Sequence, residues 1–196
     1  MIYNRSLKDD YLNFDNNRDN LIPFLLGRNA INHLIQSLEI KAIFLPTYIC
    51  SMVVDIFKYY EVEIFFYENL NKQLEVPLHK ILDKVQEVRI DKKLFFLWHD
   101  YLNIIGDMPD ELYNLMERSN IEVIIDATHT LPGKTYKAEN VVYGFRKLLN
   151  EPFGALLKVS SQKPNEPNEL SFKKLWRYLF FHSFVTFVYK MFRKSN

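Results

Sequence analysis

Short apolar runs alternate with longer amphipathic segments through most of this chain. "KAIFLP" (41–46), "VEIFFY" (62–67), "KKLFFLW" (92–98) and "EVIIDA" (122–127) are rich in β-branched and aromatic residues and read as buried strands. "SMVVDIFKYY" (51–60), "PLHKILDKVQEV" (77–88) and "DMPDELYNLMERS" (107–119) carry apolar residues at helical spacing. Pro77 stands at the start of the second, and Pro109, Asp110 and Glu111 suit the N-terminus of the third. Upstream, "LLGRNAINHLIQSL" (25–38) reads as a glycine turn opening a helix. Uniformly apolar strands are covered on both faces, so the pattern predicts a mostly parallel sheet between helix layers, a three-layer α/β/α fold. "NVVYGF" (140–145) and "GALLKV" (154–159) stand too close for a helical crossover and read as an adjacent, hairpin-like pair with room for one antiparallel strand.

After residue 159 the pattern changes. The polar, proline-containing stretch that follows predicts a linker over 161–169, dividing a large domain at 1–160 from a tail at 170–196. In that tail, Lys173, Lys174, Arg177, Lys190, Arg193 and Lys194 surround an aromatic-rich centre. The apolar stretch is short for a membrane span, but aromatics flanked by cations over 172–194 fit a helix lying at a membrane surface. Packing on the large domain or on a partner subunit is the other reading of the same residues.

Length and an ordinary charged fraction place the chain among globular proteins with one sizeable core. A net charge of +1 gives no argument for nucleic-acid binding. Cys50 is the single cysteine, which excludes an internal disulfide and a cysteine-based zinc cage. Its apolar surroundings predict a core position. The N-terminal residues lack the pattern of a secretory signal, so the expected location is cytoplasmic, with the tail allowing peripheral contact at the inner face of the membrane. His33, His79 and His182 carry no catalytic expectation, and no His, Asp or Glu grouping has metal-ligand spacing.

Ligands of open parallel sheets bind outside the carboxyl ends of the strands. His99, Asp100 and Tyr101 follow the third predicted strand, Asp126 and His129 the fourth, and Arg146 and Lys147 the "NVVYGF" run. The glycine turn adds helix amides near Arg28, Asn29 and Ala30, an arrangement suited to phosphate. A phosphate cradle, a carboxylate, a histidine and a lysine at one edge match the needs of pyridoxal 5′-phosphate. Its aldehyde requires a lysine amine, and its pyridine nitrogen a carboxylate to hold the proton. Partial burial and the neighbouring Arg146 would favour the neutral, nucleophilic amine on Lys147. Singly, each residue has a plainer reading: Arg146 and Lys147 as a solvated pair, Asp126 and His129 as turn residues, Gly27 as a helix start without ligand.

In order, "FLLGRNAINHLI", "FLPTYICSMVVDIF", "LWHDYLNIIGDMPDEL", "VIIDATHTLPGKTY" and "VVYGFRKLLNEPFGALLKV" resemble the large domain of the DegT/DnrJ-type sugar aminotransferases, over residues 20 to 160. The most specific pieces are Asp126-x-x-His129 and the segment 146–157. The resemblance implies a fold type I pyridoxal-phosphate enzyme, a homodimer that moves an amino group from an amino-acid donor to a nucleotide-linked keto sugar in glycan biosynthesis. Lys147 would match the cofactor-bearing lysine and proton carrier, Asp126 the pyridine-nitrogen partner, and His129 the residue near the cofactor's phenolic oxygen. Gly27, Arg28 and Asn29 would match the phosphate-binding turn, and His99 and Tyr101 a segment on the substrate side. Tyr48 and Cys50 are the candidates for the aromatic that stacks on the cofactor ring. The sequence departs from the family where a phosphate-binding serine often precedes the lysine, since Val142, Tyr143 and Gly144 stand there. The resemblance does not extend to the small C-terminal domain that closes the family's substrate cleft, which allows a catalytically silent relative as the alternative.

Overall fold

The computed structural model describes residues 21–101, 105–130, 134–144 and 154–159. The linker at 161–169 and the tail at 170–196 lie outside the described residues.

Among the described residues, seven strands form one sheet: β1 (Leu21–Phe24), β2 (Ala42–Pro46), β3 (Glu63–Tyr67), β4 (Leu94–Tyr101), β5 (Glu122–His129), β6 (Asn140–Gly144) and β7 (Ala155–Lys158). Their order is β1-β7-β6-β5-β4-β2-β3. β7 runs antiparallel to both its neighbours, and the other pairings are parallel. The helices described in the crossovers are α1 (Gly27–Ser37), α2 (Ser51–Tyr59), α3 (Leu78–Glu87) and α4 (Asp110–Arg118). The predicted three-layer, mostly parallel α/β architecture is the one observed.

The two layers follow from crossover handedness. β1 to β2 and β2 to β3 move toward one edge, whereas β3 to β4 and β4 to β5 move back. Right-handed connections in opposite directions place their helices on opposite faces. Accordingly, Ala30, Ile31, Leu34 and Ile35 of α1 pack with Val53 and Phe57 of α2 on one face. On the other, Ile81 and Val85 of α3 pack with Leu112, Leu115 and Met116 of α4. Phe44, Phe95, Phe96 and Trp98 between them are fully buried. Each such side chain stabilises the fold by about 1.5–3 kcal/mol relative to exposure.

The chain reverses direction across the sheet between β2 and β4, and there the two strands separate. Their pairing ends at Phe44 with Phe96, while β2 continues beside β3 to Pro46 with Tyr67. The Tyr67 phenol donates to the Leu97 carbonyl across the widening gap at 2.8 Å. Burial raises the pKa of that phenol well above its ordinary value, so it stays a donor. A crevice at the carboxyl ends of diverging strands is the usual ligand position in such sheets.

Three local expectations change. β1 is a strand beyond those the pattern revealed. It is short, contains Pro23 and pairs only with β7, and an edge strand tolerates proline. β4 and β5 extend to Tyr101 and His129, so His99, Asp100, Tyr101 and His129 lie on strands. Cys50 is exposed at the N-cap of α2, not in the core, because α2 buries Val53 and Phe57. Among the described residues, no helix is long and apolar enough to cross a membrane.

Candidate active site at the carboxyl edge of the sheet

Asp126 is buried near the end of β5, in register with His99 of β4 and Val142 of β6. The β4–β5 register slips just beyond this row. His99 stands opposite Asp126, but Tyr101 stands opposite His129, so β5 carries one extra residue. Simple strand alternation would send Asp126 and His129 to opposite faces. The bulge brings His129 round to the His99 side, and it frees the Thr128 amide from the ladder. That amide donates to Asp126 Oδ1 at 3.0 Å.

Thr128 is also where α1 and β6 meet β5. A Cβ on Gly27 would lie 2.7 Å from Thr128 Cγ2, and one on Gly144 3.0 Å from Thr128 Cβ and 3.1 Å from its Cα and carbonyl oxygen. The absence of side chains at these two positions lets the N-terminus of α1 reach the carboxylate end of β5. No side chain caps α1, and its first turn has no acidic residue. The Asn29 and Ala30 amides donate to the Leu26 carbonyl, at 2.9 and 3.3 Å. They are therefore not the anion-binding amides expected from the sequence, which leaves the Gly27 and Arg28 amides as those the helix itself does not use. The Arg28 guanidinium lies against α2, with Nη1 3.3 Å from Met52 Sδ.

This contact map carries a prediction. Gly27→Ala is expected to destabilise by about 1–3 kcal/mol through overpacking. Adding Thr128→Ser removes the opposing methyl and should recover most of that loss. Gly144→Ala meets backbone atoms of Thr128 and should not be rescued by the same change. Urea unfolding of the single and double variants measures both couplings.

His99 is buried between two partners. Its Nδ1 lies 3.3 Å from the Tyr48 carbonyl oxygen, and its Nε2 lies 3.0 Å from His129 Nδ1. Asn69 fixes Tyr48 in turn, accepting from its amide at 3.0 Å and donating to its carbonyl at 3.4 Å. The Tyr101 ring packs edge-on to Tyr48 at 5.3 Å and to His129 at 4.8 Å. Tyr48 beside it raises the Tyr101 phenol pKa. An open cleft of about 380 Å³ adjoins this cluster where β2 and β4 diverge, lined by Thr47, Tyr48, Leu70, Asn71, Leu74 and Tyr101. None of these side chains is charged at neutral pH.

Of the residues expected from sequence, Asp126, His99, His129 and Tyr101 come together on neighbouring strands, and Gly27 joins them through Thr128. Arg28 lies on the rim toward α2, and the Asn29 amide is engaged within the helix turn. Cys50 is at the exposed start of α2, whereas Tyr48 is part of the cluster. Lys147 and Arg146 lie outside the described residues. His33 packs on Phe24 with ring centroids 5.4 Å apart, and His79 is exposed on α3.

Sequence reasoning missed Asn69 and a buried network on the other face of β4. Asp100 is fully buried, and its Oδ2 accepts from Lys134 Nζ at 2.5 Å and Tyr136 Oη at 2.7 Å. Lys134 also pairs with Asp107 at 3.0 Å, and Thr130 Oγ1 donates to the Asp100 carbonyl at 3.1 Å. The signal was present: a carboxylate inside "LFFLWHDY" needs a cation, because a buried lone charge is prohibitively costly.

The same network sets an alkaline limit. Burial lowers the Lys134 pKa, but bonds to Asp100 and Asp107 outweigh it and the net shift is upward. Burial raises the Tyr136 phenol pKa strongly. Both folded-state values exceed the unfolded ones, so this stabilisation is complete below the unfolded range near pH 10 and fades as pH rises through the folded values. Urea midpoints should fall from about pH 10 upward, with a smaller fall in Tyr136→Phe.

No protein-family profile matches the chain, and no curated protein matches it in sequence. Solved structures match its fold. One is a complex of SepCysS with the N-terminal domain of SepCysE, with TM-score 0.58 and 14% identity, covering 86% of this chain and 49% of that one. A second, described as an aspartate aminotransferase from Leishmania major, has TM-score 0.57 and 16% identity, covering 77% of this chain and 46% of the other. A third, serine palmitoyltransferase solved with pyridoxal phosphate as its internal aldimine, has TM-score 0.55 and 15% identity, covering 81% and 41%. The chain has the pyridoxal-phosphate transferase fold. It spans less than half the length of these matched structures.

Proposed function

We propose that this chain forms the cofactor-binding large domain of a pyridoxal-phosphate aminotransferase-like protein. The observation that carries the reading is the meeting at Thr128: the buried Asp126 carboxylate and the uncapped α1 N-terminus converge where Gly27 and Gly144 leave room. These residues fit the cofactor's two ends. Asp126 would hold the protonated pyridine nitrogen, and the Gly27 and Arg28 amides with the Arg28 guanidinium would hold the phosphate. When bound, the cofactor supplies an electron sink that allows a proton to leave the carbon bearing the amino group. Lys147 would carry the cofactor and move that proton. Asp126 would hold the proton on that nitrogen, and the Thr128 amide fixes the carboxylate's direction. Tyr48 would cover the ring, and His129 would face its phenolic oxygen.

The substrates in this reading are an amino-acid donor and a nucleotide-linked keto sugar. The uncharged, tyrosine-walled cleft supports the neutral ring of such an acceptor, and the sequence resemblance supports the donor, the nucleotide link and a homodimer; the single cysteine supports a cytoplasmic location, and the aromatics flanked by cations support membrane-surface contact through 172–194. Ketoacid release from glutamate by protein mixed with pyridoxal phosphate tests the activity. Release of up to one equivalent per site without acceptor is expected, and none from folded, cofactor-loaded protein would contradict it.

One observation favours a second reading, a silent relative serving as an interaction module. Gly144 occupies part of the segment where the family carries a phosphate-binding serine, and its packing on the Thr128 backbone leaves no room for a side chain. Cofactor binding without ketoacid release would select this reading.

A further inference from the structure

We propose that Leu74 is a specificity residue: the turn built around Asn71 holds it in a left-handed backbone so that its side chain walls the cleft and meets the apolar face of an uncharged sugar ring. The proposal takes the substrate's class from the cofactor reading above, and the residue and its role from geometry.

Residues 71–75 form a closed turn. The Leu74 amide donates to the Asn71 carbonyl at 3.1 Å, and the Asn71 amide to the Glu75 carbonyl at 2.9 Å. The Asn71 side chain locks the turn. Its Oδ1 accepts from the Gln73 and Glu75 amides, at 2.9 Å each, and its Nδ2 donates to the Glu75 carboxylate at 3.3 Å. Leu74 is thereby held at a φ of 63°. Turns of this kind end on a left-handed residue, and glycine is the usual choice because it has no Cβ to crowd the following carbonyl. Leucine there is strained, and burial does not offset the strain. Leu70 and Val76 pack against the core, whereas Leu74 is 65% exposed. Leu74 nevertheless lines the cleft, together with Tyr48 and Tyr101. A local rule broken without gain to the fold, at the mouth of a ligand-sized opening, is the mark of a functional position.

The lining sets the ligand. Thr47, Tyr48, Asn71 and Tyr101 are uncharged at neutral pH and Leu70 and Leu74 are apolar, so no lining side chain offers a counter-ion to a carboxylate. The carboxylate tied to Asn71, that of Glu75, would repel one. Tyr48 is half exposed and packs edge-on to Tyr101, with ring centroids 5.3 Å apart. Aromatic and branched aliphatic side chains attract the C–H face of a sugar ring by dispersion and by covering its apolar surface. A cleft of about 380 Å³ has the size of a small-molecule site. It opens at the carboxyl ends of diverging strands, where ligands of such sheets bind.

The test uses the whole chain, with and without pyridoxal phosphate, titrated with methyl glucopyranoside and methyl glucuronopyranoside and read by saturation-transfer NMR. These probes are a neutral and an anionic form of one ring. Wild type should bind the neutral ring more tightly than the anionic one. Leu74→Gly and Leu74→Ala should each weaken the neutral ring by about fivefold, the effect of removing a half-covered leucine side chain, and leave pyridoxal-phosphate affinity unchanged. Urea unfolding supplies the second readout. The midpoint of Leu74→Gly should equal or exceed that of wild type and exceed that of Leu74→Ala, since glycine relieves the left-handed backbone and alanine does not. A midpoint below wild type in Leu74→Gly would assign Leu74 to the fold and overturn the proposal. So would no binding of the glucoside by wild type, equal binding of the two rings, or an affinity that neither variant changes. If pyridoxal phosphate binds and the glucoside result fails, the Leu74 role falls alone. If wild type does not bind pyridoxal phosphate, the cofactor reading falls, and Leu74 is judged on the glucoside and urea results.

Discussion

Replacing Asp100 with alanine is expected to destabilise the protein by about 3–5 kcal/mol, the range for breaking a buried ion pair from one side. Asp100 is fully buried, and the side chain of its partner Lys134 is only 23% exposed. Removing the carboxylate leaves an ammonium with Asp107 as its other ion-pair partner and strips the Tyr136 phenol of its acceptor. The connection carrying Lys134 and Tyr136 would lose its anchor to β4. Replacing both charges together, as Asp100→Leu with Lys134→Met, should recover most of the loss, because the desolvation cost then disappears with the charge. Urea unfolding measures both. A single-variant loss below about 1 kcal/mol would mean the network is solvated and contributes little.

Replacing Asp126 with asparagine is expected to weaken pyridoxal-phosphate binding by about 10- to 100-fold, the loss of one charge-assisted hydrogen bond. Asparagine keeps an oxygen for the Thr128 amide, so the ligand-free thermal midpoint should change little. The stabilisation conferred by saturating cofactor should shrink in proportion to the lost affinity. Unchanged affinity would remove Asp126 from the cofactor site. A lower midpoint without cofactor would instead assign it a structural role.

The architecture was legible because apolar runs and helical periods alternate, and uniformly apolar strands imply cover on both faces. What escaped has local physical causes. β1 is short and broken in pattern by Pro23, which only its edge position permits. The strand ends were read short because polar residues usually mark the close of a buried strand. Here His99, Asp100 and Asp126 stay buried and each finds partners within the fold. The β5 bulge was invisible, since nothing in "IIDATH" distinguishes regular alternation from an inserted residue. This bulge brings His129 to the side of the sheet that carries His99 and Asp126. Asn69 was missed because its role is to hold a main chain remote in sequence.

The central claim is that a pyridoxal-phosphate site stands at this sheet edge with Lys147 as its lysine. It is tested most directly by borohydride reduction of protein mixed with pyridoxal phosphate, followed by peptide mapping. The account predicts one reduced adduct, on Lys147, absent from Lys147→Ala. An adduct confined to other lysines, or none in folded protein, would contradict it.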